Sequence, residues 1–278
     1  MVNSSVQLEA NDAPIIRLCE VHKSFDGVDV LRGVSLDLRP GETTVILGPS
    51  GTGKSVLLKH IIGLLKPDQG EVYFKQFRID RLDEKQLVEV RRRMGILFQM
   101  GALFDSMTVE QNVTFPLVEH TRMSPSDRAD RCKRVLKIVG LQGIEKSMPA
   151  DLSGGQRKRV ALARAVVLEP QVVLYDEPTT GLDPIRADVI NELIISLARR
   201  TGITSIVVTH DIASATKIAD RMVMLYDGHI VADAEPKLFL EMKNDLVQRF
   251  IHGQADREDI ESIRAGFEPA TDKAGPVS

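Results

Sequence analysis

Gly48-Pro49-Ser50-Gly51-Thr52-Gly53-Lys54-Ser55 follows the pattern G-x-x-x-x-G-K-[ST], and its setting decides how the rest of the chain is read. Before it stands the compact apolar run Thr43–Leu47. After it, Val56, Leu57, Leu58, Ile61, Ile62 and Leu65 recur at helical spacing. Strand, glycine loop and helix in that order form an anion cradle. Glycines let successive backbone N–H groups turn onto phosphate oxygens, and the helix N-terminus adds its positive end. Lys54 supplies a mobile cation, and Ser55 offers a hydroxyl to a divalent metal. A glycine turn that merely caps a helix is the plainer alternative, and the strand-helix context speaks against it.

Two further apolar runs, at 172–175 and 206–208, lack alternation, as strands buried on both faces of a parallel sheet should. A helical pattern over 189–198 lies between them, giving strand, crossover and strand. The chain opens differently. Residues 15–21 are β-prone, and Val34, Leu36 and Leu38 alternate with polar residues before the turn Pro40-Gly41, which predicts an antiparallel flap. From 101 to 168 the sequence is charged and helix-prone, with Ala129, Cys132, Val135 and Leu136 on one stripe, so an inserted helical subdomain is expected. Residues 222–226, the pair Asp227-Gly228, and 229–232 carry a hairpin signal. Beyond 241, Leu246, Val247, Phe250 and Ile251 suit one short amphipathic helix, while 1–14 and 268–278 read as flexible or disordered.

Among 278 residues, 43% are hydrophobic and 27% charged, ordinary values for a globular protein. No run approaches the roughly 18 apolar residues of a membrane span. No secretory signal opens the chain, so a cytosolic location is expected. A formal net charge of -3 gives no general attraction to nucleic acid. Cys19 and Cys132 stand alone, without metal-ligand spacing, and read as reduced thiols.

An apolar strand ending in Asp176-Glu177 can offer one carboxylate to a metal shell and the next to an attacking water, although two acids at a strand end also suit a solvated turn. Leu152-Ser153-Gly154-Gly155-Gln156 suits a helix start, with Ser153 as cap and bare N–H groups facing an anion. An ordinary loop and cap is the alternative. In this order the motifs resemble those of ABC ATPases over about residues 15–240. The resemblance implies an α/β P-loop NTPase fold with a mostly parallel core sheet, an N-terminal antiparallel β subdomain and an inserted α-helical subdomain.

It also implies ATP and Mg²⁺ as ligands and a head-to-tail homodimer, in which ATP on one glycine loop is covered by Ser153, Gly154, Gly155 and Gln156 of the other chain. Residue by residue, it puts Phe25 on the adenine with Val30 flanking the base, and Ser55, Gln99 and Asp176 on Mg²⁺. Val56 stands where a second hydroxyl often sits. Asp183 matches a loop that crosses the dimer interface. Glu177 is the implied base, with His210 as the switch that holds the γ-phosphate and Lys54 neutralising charge.

One uninterrupted cassette without heptads or zinc spacing favours a transporter motor over ABC proteins that act on ribosomes or DNA. The segment 98–109, above all Gly101-Ala102-Leu103-Phe104-Asp105-Ser106, resembles the ATPases of MCE-type lipid transporters, including the Mla phospholipid system. That resemblance implies a membrane permease at the inner membrane, an MCE-domain lipid-binding protein and a small STAS-domain protein as partners, with residues 246–267 reaching a neighbouring subunit. An amino-acid-type importer is the alternative, as is a tail that is disordered or packs on its own chain.

Overall fold

Every residue of β3 (Thr43–Leu47) is buried, and the sheet around it shows why. The computed structural model describes residues 13–255. Before β3 come β1 (Ile16–Phe25) and β2 (Val28–Leu38), an antiparallel hairpin turning on Asp26 and Gly27, whose φ values of 49° and 81° suit an Asp-Gly turn. After β3 the chain forms α1 (Lys54–Ile61), β4 (Gln69–Phe74), β5 (Phe77–Arg78), α2 (Glu84–Arg91) and β6 (Met94–Leu97). Three helices follow: α3 (Val109–His120), α4 (Pro125–Ile138) and α5 (Gly154–Val166). Then come β7 (Val172–Asp176), α6 (Pro184–Thr201), β8 (Thr204–Thr209), α7 (Ile212–Ile218), β9 (Arg221–Tyr226), β10 (His229–Ala234), α8 (Pro236–Leu240) and α9 (Asp245–Ile251).

Two sheets result. The first, β2-β1-β4-β5, is antiparallel; the second runs β10-β9-β3-β8-β7-β6, with β9, β3, β8, β7 and β6 parallel and β10 antiparallel at one edge. Alternate residues of the parallel strands face two separate cores. Ile46, Leu174 and Val208 join α1 and the antiparallel sheet on one side. Val45, Leu47, Tyr175 and Val207 join α3 to α6 on the other. Strands with both faces covered carry no polar alternation, hence the unbroken apolar runs.

The helix expected over 189–198 is longer in the structure. Asp183 caps it, Pro184 opens it, and Gly202 in the left-handed region stops it. The flap gains β4 and β5, which the sequence reading did not place; of β4 only Val72 and Phe74 are buried, leaving a weak pattern. In the C-terminal segment α9 forms where expected, and its Val247 is wholly buried in the second core. The readings for 1–12 and 256–278 lie outside the described residues. Among the described residues no helix is long and apolar enough to cross a membrane. Cys132 is buried, Cys19 half-buried, and both are free.

Candidate functional site

Parallel strands deliver their carboxyl ends to one edge, and the chain places its polar side chains there. The glycine loop leaves β3, Asp176 ends β7, and His210 follows β8. The phosphate loop needs its glycines for different reasons. At Gly48 a Cβ would lie 2.1 Å from the carbonyl oxygen of Leu225. At Gly53 (φ 95°) it would crowd Val30 and Leu31 at 3.0 Å. Gly51 is exposed with φ 85° and meets nothing within 4 Å, so its backbone is open to a ligand. No side chain caps α1, and its first N–H groups are available to an anion.

Lys54 is only 6% exposed and donates to the carbonyls of Gly48 (2.7 Å) and Pro49 (2.8 Å). Its Nζ lies 4.0 Å from Glu177 Oε1. Burial lowers its pKa, while the Glu177 and Asp176 carboxylates act in the other direction. Thr52 closes the loop by donating to Pro49, Ser50 is exposed, and Val56 packs on the first core while its carbonyl meets His60 Nδ1 at 2.8 Å.

Ser55 Oγ donates to Asp176 Oδ1 at 2.8 Å across 121 residues of sequence. Burial raises the Asp176 carboxyl, the Ser55 hydrogen bond opposes this, and the adjacent Glu177 adds to it. Hydroxyl and carboxylate oxygens at this spacing are hard donors that fit Mg²⁺ alongside phosphate oxygens. Glu177 has φ 48°, a strained region for this residue type. Its carboxylate accepts from Thr180 Oγ1 (2.9 Å) and from Thr209 Oγ1 (3.4 Å), with His210 Nδ1 at 3.0 Å.

Other expected site residues stand further off. Gln99 follows β6 on the same sheet edge, is exposed, and makes no hydrogen bond to Ser55 or Asp176. Phe25, 42% exposed, lies at the tip of β1 under the Lys23 ammonium at 5.4 Å. Val30 touches the phosphate loop at Gly53. Ser153 caps α5 in a reciprocal box with Gln156, so the Gln156 side chain is engaged inside its own helix. No hydrogen bond links this segment to the phosphate loop. Gly154 and Gly155 are helical, and a Cβ on either would meet nothing nearer than 3.9 Å and 3.6 Å, so their own chain does not demand glycine. Asp183 accepts from the Arg186 N–H (3.0 Å) as a helix cap.

Comparison with known proteins decides the family. The model described as "ABC transporter" matches residues 31–180. This chain belongs to the ABC transporter ATPases. The ABC ATPase is 43% identical over 232 residues to a probable ribonucleotide transport ATP-binding protein of Mycobacterium leprae, covering 84% of this chain and 67% of the relative; the related Mycobacterium bovis protein is covered to 65%. It is 39% identical over 249 residues to the intermembrane phospholipid transport system ATP-binding protein MlaF of Escherichia coli K12, covering 90% and 93% of the two chains. A solved dimeric ATP-binding cassette, in a post-hydrolysis state with ADP and Pi, superposes at TM-score 0.75 with 36% identity over 80% of this chain and 98% of that one.

Two features escaped the sequence reading. Asn112, wholly buried, accepts from the Phe104 N–H (2.8 Å) and donates to the carbonyls of Phe104 (3.0 Å), Met107 (3.0 Å) and Thr108 (3.1 Å). That bracket holds Phe104, which packs on Phe115 at 4.9 Å beneath Arg164, in a groove of about 360 Å³ also lined by Arg91, Phe98 and Ala102. The second is Lys158, buried and bonded to backbone carbonyls near Glu177. An asparagine or lysine inside an amphipathic helix carries no local signal for such work.

Proposed function

We propose that this ABC ATPase, with 101–168 as its helical subdomain, powers transport of a lipid, most simply a phospholipid. It would do so through a separate permease on the cytoplasmic face of the inner membrane. The observation that carries the lipid reading is the 101–106 segment, held by Asn112 and Arg164 against an exposed aromatic groove, in a chain similar to MlaF over nearly its whole length.

The chemistry follows from the sheet edge. The phosphate-loop N–H groups and Lys54 hold the nucleotide phosphates, with Phe25 and Val30 toward the base. Ser55 and Asp176, with Gln99 closing from the adjacent strand end, would hold Mg²⁺. When bound, that ion neutralises charge on the transferring phosphoryl group. Glu177 orients the attacking water and accepts its proton. A carboxylate can only accept from the imidazole, so Nδ1 of His210 carries hydrogen, and Nε2 would be the nitrogen left for the phosphate. Stabilisation of charge in fixed geometry carries most of the rate.

The bare glycines Gly154 and Gly155 support a sandwich homodimer, because what they leave room for is a group outside their own chain. Ser153 would cover the partner's nucleotide in that arrangement, and Asp183 would lie at the interface. An MCE-domain protein and a small STAS-domain protein complete the proposed assembly.

The test is affinity capture of the Glu177→Gln protein from native membranes with ATP and Mg²⁺. A multi-span permease with an MCE-domain protein and phospholipid supports the reading. A permease with a soluble solute-binding protein replaces it with an amino-acid-type importer.

A further inference from the structure

Lys158 lies on α5, the helix capped by Ser153, and is 6% exposed. Its ammonium donates to the carbonyls of Thr180 (2.7 Å), Pro178 (2.8 Å) and Glu177 (3.3 Å), so each of its three hydrogens has a backbone acceptor. Among the described residues no carboxylate pairs with it. A buried ammonium is costly unless it is hydrogen-bonded, and an apolar side chain would fill the same space more easily. Burial pushes the Lys158 pKa down to about 8, with the Glu177 charge opposing. The charge therefore brings geometry rather than net stability.

The geometry concerned is the turn that begins at Glu177. A left-handed glutamate persists only where its surroundings over-determine it. Here the Glu177 N–H donates to the Val208 carbonyl (3.0 Å), the Thr180 N–H donates back to the Glu177 carbonyl (3.3 Å), and Thr180 Oγ1 holds the carboxylate. Lys158 holds the same turn at three carbonyls.

We propose that Lys158 is a positioning residue that holds the 177–180 turn and ties the aim of the Glu177 carboxylate to the orientation of the Ser153 helix within one chain. This rests on the sandwich-dimer reading above. There, Ser153 faces the partner's nucleotide while Glu177 serves its own, so the lysine links the two ATP sites. A tilt of α5 on nucleotide binding at one site displaces the base at the other.

The test compares Lys158→Met and Lys158→Gln in the full chain, with Glu177→Gln alongside, reading hydrolysis against ATP concentration, nucleotide affinity and Tm. In Lys158→Met, kcat falls about 10- to 100-fold, as for a misplaced catalytic group. KM stays within about twofold, Tm falls by no more than a few degrees as the Pro178 and Thr180 carbonyls lose their donor, and any cooperativity in ATP is lost. Lys158→Gln keeps two N–H donors and recovers part of the rate. Unaltered kcat and Hill coefficient in Lys158→Met, beside an inactive Glu177→Gln, would remove this proposal alone. Rate losses that track Tm and KM in both variants, including failure to fold, assign Lys158 to structure and overturn it. Normal turnover by Glu177→Gln brings down the hydrolytic reading and this proposal together.

Discussion

His210 Nδ1 lies 3.0 Å from Glu177 Oε2, although 33 residues separate the two in sequence. Parallel pairing makes the contact: Asp176 at the end of β7 lies opposite Val208 of β8, so the residues that follow each strand emerge side by side. Glu177 is well covered and His210 half exposed, which sets the carboxylate inside and the imidazole at the entrance.

Glu177→Gln is expected to keep ATP binding and slow hydrolysis by about 10² to 10⁴, the range for loss of a general base. His210→Ala should lower kcat by a similar factor while leaving the nucleotide Kd within about threefold if, as proposed, the imidazole acts at the reacting end. Single-turnover kinetics with equilibrium nucleotide binding separate the two effects. Near-normal turnover in Glu177→Gln removes that residue from the role.

Gly154→Ala distinguishes a site completed by a second chain from one completed within the protomer. The added methyl meets nothing nearer than 3.9 Å in its own chain, and alanine favours a helix over glycine by up to about 1 kcal/mol. Tm should therefore hold or rise. ATP-dependent dimerisation of the Glu177→Gln background, followed by light scattering, should weaken at least about tenfold if the glycine admits the partner's nucleotide. Dimerisation unchanged by the methyl would count against the sandwich.

Asn112→Ala removes the side-chain bonds to the Phe104 N–H and to the carbonyls of Phe104, Met107 and Thr108; backbone N–H groups still serve the Phe104 and Thr108 carbonyls, but the Phe104 N–H and the Met107 carbonyl lose their partner, a loss of about 1 to 3 kcal/mol. Thermal unfolding should register this as several degrees in Tm. Because the 104–108 bracket lies away from the phosphate loop, hydrolysis by the isolated chain should stay within about twofold, while stimulation by a reconstituted permease falls.

Burial raises the Cys132 thiol from 9.0 to about 12. Cys132 is wholly buried as well, so alkylation of the native chain at this residue should be very slow at pH 8 beside that of the unfolded chain. The sign for stability follows. Between the ordinary thiol value and about 12 the folded state keeps a proton that the unfolded state has lost, so stability falls as pH rises through that window. Denaturant titrations at pH 8 and 10 should show the decline in the native chain and a smaller one in Cys132→Val.

Local chemistry made much of the site legible. Gly48, Gly53 and Lys54 fall within one seven-residue pattern that is recognisable locally, although the crowding that demands glycine at 48 and 53 comes from Leu225, Val30 and Leu31, and Ser153 with Gln156 closes a box over one helical turn. Strand burial was legible at Thr43–Leu47 because two covered faces leave no polar alternation, only β-branched and apolar residues in succession. Strands β4 and β5 were not, since only Val72 and Phe74 of β4 are buried and β5 is two residues long, too little to make a period.

Sequence by itself determined the kinds of group available: a phosphate loop, an acidic strand end, a histidine after a strand and a capped glycine helix start. Each is written in residues within a turn or two of one another, where backbone geometry and side-chain reach act directly. Tertiary structure alone decided which of them meet. Ser55 reaches Asp176, Glu177 reaches His210, and Lys158 reaches the Glu177 turn because parallel strand register and the packing of α5 bring distant segments within hydrogen-bond range. Those encounters depend on sheet order and on two cores sharing one sheet, and no local residue pattern encodes them.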